Sequence, residues 1–244
     1  MISKSIFFQN FLSIKKNLKI KKDLQILLKK EPKLFCTLKP NYKYSYSKKF
    51  ILKYKKFSNI RIIGMGGSVL GAETIYNFLK KKINKNFTFV NNLNNKAYNL
   101  KDKKINLNLI ISKSGNTLET IVNANTLIKD NDKNIIITEK KNNYLTNLAK
   151  ELKCEVVDHK NYIGGRYSVL SEVGMLPTEL MDLDEKKFKQ FNQLIKDKKF
   201  ISSLVNNVST TLHLIKSGKY TSVILNYDEQ SENLFKWYQQ LIAE

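Results

Sequence analysis

The stretch Asn59-Ile60-Arg61-Ile62-Ile63-Gly64-Met65-Gly66-Gly67-Ser68-Val69-Leu70-Gly71 joins an apolar run to a glycine-rich turn and then to a helix-like pattern. The run is short, β-branched and nearly continuous, as in a strand buried on both faces. The glycines let the backbone turn tightly and approach a ligand. A helix beginning there offers its free N–H groups to an anion. Similar runs recur at 87–92 (FTFVNN), 106–112 (NLNLIIS), 134–138 (NIIIT) and 154–157 (CEVV). Between them the spacing predicts helices near 68–82, 116–129 and 142–152. Strands alternating with helices imply βαβ units and a parallel sheet covered on both faces. Ligands of such sheets sit at the carboxyl ends of strands, where loops meet helix N-termini.

The chain has 244 residues, of which 42% are hydrophobic, so it can bury a sizeable core. No apolar run approaches the roughly 18 residues of a membrane span. The first 22 residues lack the continuous apolar core and small-residue cleavage site of a signal peptide. Cys36 and Cys154 make neither a disulfide framework nor a zinc pattern. These features predict a soluble, reduced, cytoplasmic protein. The formal charge of +22 invites a nucleic-acid reading, yet 41 of the 43 cations are Lys and only Arg61 and Arg166 are Arg. Nucleic-acid readers favour the planar fork of Arg. With 28 Asn residues as well, the charge reads first as the composition an AT-rich genome writes. The Tyr/Lys strip at 39–57 admits a stacking surface for single strands or a solvated extension over the main domain, and the second is preferred.

Four blocks carry chemistry. In 64–71 a dinucleotide site fails, because Val69 stands where the third Gly belongs and Asn91 and Asn92 end the next strand in place of an acid. A glycine turn that only packs helix on sheet remains open. The second block, Ser112-Lys113-Ser114-Gly115-Asn116-Thr117-Leu118-Glu119-Thr120, sets three hydroxyls and a Lys at a helix start. One helix cap needs one hydroxyl; three with backbone amides suit a phosphate monoester. The third, Gly164-Gly165-Arg166-Tyr167-Ser168-Val169-Leu170-Ser171, offers a guanidinium to a phosphate or a developing oxyanion, or else to loop carbonyls. In the fourth, Gln240 and Glu244 share a helix face at i and i+4. By spacing alone Glu244 is a frayed terminal carboxylate.

Taken in order from about residue 58 to 244, the four blocks resemble the glucose-6-phosphate isomerase family, within the sugar-isomerase (SIS) class of phosphosugar-binding domains. Residues 164–177, GGRYSVLSEVGMLP, are the most specific part of the likeness. The resemblance implies an α/β, three-layer αβα sandwich with a flavodoxin-like parallel SIS sheet. It implies a first SIS domain (58–183) and the first strand–helix unit of a second SIS domain (220–244), while the residue pattern reads as an N-terminal helical basic extension (1–57) and connecting helices (184–219). It implies that Ser112, Lys113, Ser114 and Thr117 bind the sugar phosphate, with Gly67 and Ser68 lining the pocket. Arg166 would stabilise the enediolate, Gln240 would orient the substrate, and Glu244 would move the proton between C1 and C2. The activity implied is metal-free and cofactor-free interconversion of glucose 6-phosphate and fructose 6-phosphate in glycolysis and gluconeogenesis, by a homodimer.

The sequence departs from the family in stopping at the matching Glu, without the downstream Lys and His of ring opening. His159 and His213 match neither position and read as structural or exposed. The 244 residues therefore read as roughly the first half of an isomerase, inactive alone. A non-catalytic phosphosugar-binding module, or half of a split isomerase, is the alternative. Nucleic-acid binding ranks below both.

Overall fold

A computed structural model describes residues 8, 11, 18–30, 33–93 and 107–243. In chain order its elements are α1 (Leu18–Lys30), α2 (Lys48–Tyr54), β1 (Asn59–Gly64), α3 (Gly67–Phe78), β2 (Asn86–Val90), β3 (Leu107–Ile111), α4 (Leu118–Leu127), β4 (Lys133–Thr138), α5 (Tyr144–Glu151), β5 (Glu155–Asp158), α6 (Glu172–Leu180), α7 (Glu185–Phe188), α8 (Lys198–Lys216) and α9 (Glu232–Ala243). The chain divides into two units. One comprises Lys43–Glu185 with Asn226–Glu244, and the other Met1–Tyr42 with Lys186–Leu225.

The first unit is built on a parallel five-stranded sheet of order β2-β1-β3-β4-β5. Every residue of β1 and β3 is buried, as the unbroken apolar runs require. Val90, Ile63, Ile110 and Ile136 lie in register as one row across the sheet. That row packs on Ala124 of α4 and on Leu145, Leu148 and Ala149 of α5. The alternate row, with Ile62, Leu109 and Ile135, faces the opposite side. There α3 packs with α6 and α9. A doubly covered α/β sandwich is the result, as expected.

The first row carries a polar end. Arg61, Asn108 and Asn134 are register neighbours on β1, β3 and β4. Arg61 is 2% exposed. Its Nη1 donates to Asn108 Oδ1 (3.2 Å) and to Leu127 O (2.7 Å). Asn108 Nδ2 in turn donates to Asn134 Oδ1 (2.8 Å) and Asp132 Oδ2 (3.0 Å). A cation thus closes the C-terminus of α4, where orphan carbonyls gather.

The Tyr/Lys strip divides at the boundary of the units. From Tyr44 to Phe57 its rings pack against one another in a row: Tyr44 stacks on Tyr46 (5.1 Å between centroids), Tyr46 and Tyr54 meet Phe50 at a tilt, and Tyr54 stacks on Phe57. Tyr46 Oη donates to Glu179 Oε1 (2.7 Å), and buried Tyr54 donates to Glu155. Ser45 donates through N and Oγ to Glu172 Oε1, at 2.8 and 3.0 Å. These rings therefore form a packed seam rather than a solvated extension.

In the other unit α1 packs on α8, and Asp197 caps α8 by accepting from Lys199 N and Phe200 N. Segment 220–227 reads as a strand by its apolar pattern, but it pairs with no described strand. Tyr220, Val223, Leu225 and Tyr227 are 72–94% exposed. A strand takes its backbone bonds from a neighbour, and without one an apolar run stays irregular. Asp228 then caps the turn before α9, accepting from Gln230 N (3.2 Å). Among the described residues no helix is long and apolar enough to cross a membrane.

Arg61→Met takes this donor from the buried Asn108 oxygen and from the part-buried Leu127 carbonyl. It is expected to lower unfolding free energy by about 2 kcal/mol, read from the urea midpoint. An unchanged midpoint would show that the polar row adds nothing to the fold.

Candidate functional site

Strand order reverses at β1, which lies between β2 and β3. The crevice of such a sheet opens at the carboxyl ends of the strands flanking the reversal. The two glycine- and hydroxyl-bearing loops leave β1 and β3 at those ends. They leave close together: a Cβ on Gly64 would stand 2.8 Å from Ile111 O.

After β1 the chain turns through Gly66, at φ +53° and ψ −125°, a backbone open to glycine alone. No side chain caps α3. A Cβ on Gly67 would stand 2.7 Å from Arg166 N and closer still to the Gly165 carbonyl. Ser168 Oγ ties the same two segments, donating to Gly165 O (2.5 Å) and lying 3.3 Å from Gly67 O. The glycine turn does more than seat a helix on a sheet, since it accepts the arginine loop in backbone contact. Gln240 of α9 lies over it, with Nε2 2.8 Å from the place of a Gly66 Cβ. Trp237, one turn earlier on α9, donates from Nε1 to Arg166 O (2.9 Å).

After β3 the hydroxyls gather as the sequence predicts. Ser112 Oγ, buried, lies 2.8 Å from Thr117 Oγ1 and 3.4 Å from Ser114 Oγ. It accepts from Gly115 N (3.2 Å), while Ser114 Oγ accepts from Asn116 N (3.2 Å). Thr117 holds the N-cap position of α4, yet its side chain makes no cap bond. An ordinary cap would have spent that hydroxyl on the helix; here it points into the hydroxyl cluster. The first-turn N–H groups of α4 keep their capacity for an anion. Lys113 Nζ donates to Asn161 O (2.6 Å) and lies 3.8 Å from Glu139 Oε1. The structure thus brings together Ser112, Ser114 and Thr117 after β3, and Gly67, Ser68, Arg166 and Gln240 around the β1 turn. Glu244 lies outside the described residues.

His159 follows β5 and is 1% exposed, and its Nδ1 lies 3.3 Å from Lys160 O. Burial lowers its pKa, and the nearby Lys113 adds to the effect. Sequence reasoning missed the roles of Trp237 and Asn143. The Asn143 side chain fills the space beneath Gly115, with Nδ2 2.6 Å from where a Cβ would stand. Its only signal in the sequence is a helix-cap pattern, which says nothing about a distant loop.

The family model described as Phosphoglucose isomerase matches residues 49–244. The chain belongs to the phosphoglucose isomerase family. A glucose-6-phosphate isomerase of Methanocaldococcus jannaschii is 35% identical over 213 residues, covering 79% of this chain and 52% of that protein. One of Mycoplasmopsis synoviae is 29% identical over 214 residues, covering 78% and 50%. The chain spans about half the length of the curated relatives it matches. A hypothetical protein of Thermus thermophilus has the same fold, with a TM-score of 0.73 at 20% identity, over 97% of this chain and 63% of that one.

Burial makes the folded His159 harder to protonate than the unfolded residue. Below its ordinary pKa of about 6.5 the unfolded chain takes the proton more readily. Stability held above that pH is therefore lost as pH falls through about 6.5 toward the lower folded value. His159→Gln is expected to flatten the stability profile between about pH 7 and 5.5, measured as urea midpoints. Parallel profiles for the two proteins would contradict this.

Proposed function

We propose that this chain supplies the phosphosugar-binding half-site and the charge-stabilising arginine of a glucose-6-phosphate isomerase. The observation that carries the reading is the uncapped N-terminus of α4 facing Ser112, Ser114 and Thr117, at the strand ends beside the reversal. An anion there meets amides and hydroxyls without a metal. Family membership supports the phosphosugar as that anion, since the curated relatives carry the name of the isomerase.

The reaction moves one proton between C1 and C2 of the open-chain sugar through a cis-enediol. A base must take the proton next to a carbonyl, and a cation or donors must hold the charge that grows on oxygen. In our reading Glu244 is the base. It stands four residues after Gln240, which lies over the β1 turn. Arg166 stabilises the enediolate, held in place because its backbone rests on Gly67 and on Trp237 Nε1. Gln240, together with Gly67 and Ser68, orients the sugar. Lys113 serves the phosphate only after releasing Asn161 O. The working form is a cytoplasmic homodimer.

Two measurements on the chain test this. Calorimetric titration with fructose 6-phosphate is expected to give saturable binding, weakened about tenfold in Ser112→Ala. Absence of binding would overturn the phosphate reading. A coupled assay of interconversion then separates catalysis from the second reading, binding without turnover. In an active form, Arg166→Lys is expected to reduce kcat/KM on the order of a hundredfold, because the planar fork is lost. Full turnover in that variant would remove Arg166 from the mechanism.

A further inference from the structure

The loop that follows β3 does not shape itself. Its carbonyl side is held, residue after residue, by the turn between β4 and α5. Lys113 O accepts from Glu139 N (3.2 Å) and Thr138 Oγ1 (3.3 Å). Gly115 O accepts from Leu145 N (3.1 Å), and Asn116 Oδ1 accepts from Tyr144 N (2.9 Å). Asn143 stands at the centre of these ties and is buried. Its Nδ2 donates to Thr138 Oγ1 and to Glu139 O, both at 3.3 Å, while its Oδ1 accepts from Thr146 N (2.9 Å). Its amide also occupies the space a Gly115 Cβ would need, and Gly115 takes φ +71°.

Peptide geometry turns this grip into a direction. No described peptide is cis. In a trans peptide the carbonyl and the N–H that follows it point opposite ways. Holding Lys113 O and Gly115 O against the β4–α5 turn therefore aims the Ser114 and Asn116 amides at the hydroxyl side. The Asn116 amide obeys this, since it donates to Ser114 Oγ (3.2 Å). The anion-receptive face is in this way set by a segment that lies well further along the chain.

We infer that Asn143 is a positioning residue for the phosphate: it makes no contact with the ligand and fixes the loop whose amides and hydroxyls do. This rests on the phosphate reading above. Two roles are combined in one side chain. The Oδ1 caps α5, a matter of stability. The Nδ2, with the bulk behind it, orders Thr138, Glu139 and the floor under Gly115, a matter of ligand affinity. Asn143→Ser separates them, because serine caps a helix well but is too short to fill that floor.

The test uses the chain and two variants, Asn143→Ser and Asn116→Ala. The second breaks the Tyr144 tie at an exposed side chain and leaves the α5 cap intact. Affinities for inorganic phosphate and fructose 6-phosphate are read by calorimetry beside the thermal midpoint. Asn143→Ser is expected to keep a near-native midpoint and bind both ligands about tenfold more weakly, the scale of one lost hydrogen bond. Asn116→Ala is expected to lose affinity in the same direction, by about threefold, and it reads the grip should Asn143→Ser fail to fold. Wild-type affinity in the folded variants overturns the inference, even where midpoints fall, because Asn143 would then serve stability alone. Absence of binding by the unaltered chain overturns the phosphate reading itself, which separates the two failures.

Discussion

The pairing of β1 with β2 on one side and β3 on the other determines where everything else lies. Because the winding reverses there, the crossovers after β1 and β3 run to opposite faces of the sheet, and their loops part over a crevice. The pairing is strongly specified because both strands are buried on both faces. A slip of one residue would move Arg61 and Asn108 out of the row where their side chains meet Asn134 and the end of α4. The polar row at one end of the strands and the hydroxyl cluster at the other are thus two consequences of one register.

Onto that crevice the structure brings segments far apart in the chain. The glycine turn after β1 meets the arginine loop in a contact with no room for a side chain on Gly67. The indole of Trp237 reaches the carbonyl of Arg166, and Gln240 lies over Gly66. The loop after β3 is meanwhile gripped from behind by the start of α5. Backbone contacts of this kind position side chains with little freedom. The site is accordingly more a product of main-chain packing than of any one motif.

Much of this was legible. The apolar runs named all five strands of the sheet to within a residue or two, because strands covered on both faces leave a continuous hydrophobic record. The three hydroxyls of Ser112, Ser114 and Thr117 were legible as more than one helix cap requires, and their cluster is found. The strip at 39–57 was harder. Rings alternating with Lys describe a wet extension and a packed seam equally well, and Tyr46 and Tyr54 found carboxylate partners that no local pattern announces. Segment 220–227 has a strand's pattern, yet pattern supplies no partner. No local pattern announces that the Lys113 amine meets Asn161 O and lies near Glu139.

The sequence by itself determined the α/β class, the order of strands and helices, the places of the glycine- and hydroxyl-bearing loops and the family likeness. All of these depend on local periodicity, on glycine at the turns and on short runs of residue types. Only the tertiary structure decided which segments face one another: that Gly67 receives the Arg166 loop, that Arg61 closes α4, and that Asn143 fills the space beneath Gly115. Those relations are contacts between residues that chain order keeps apart, and they exist only once the sheet has brought its strand ends together.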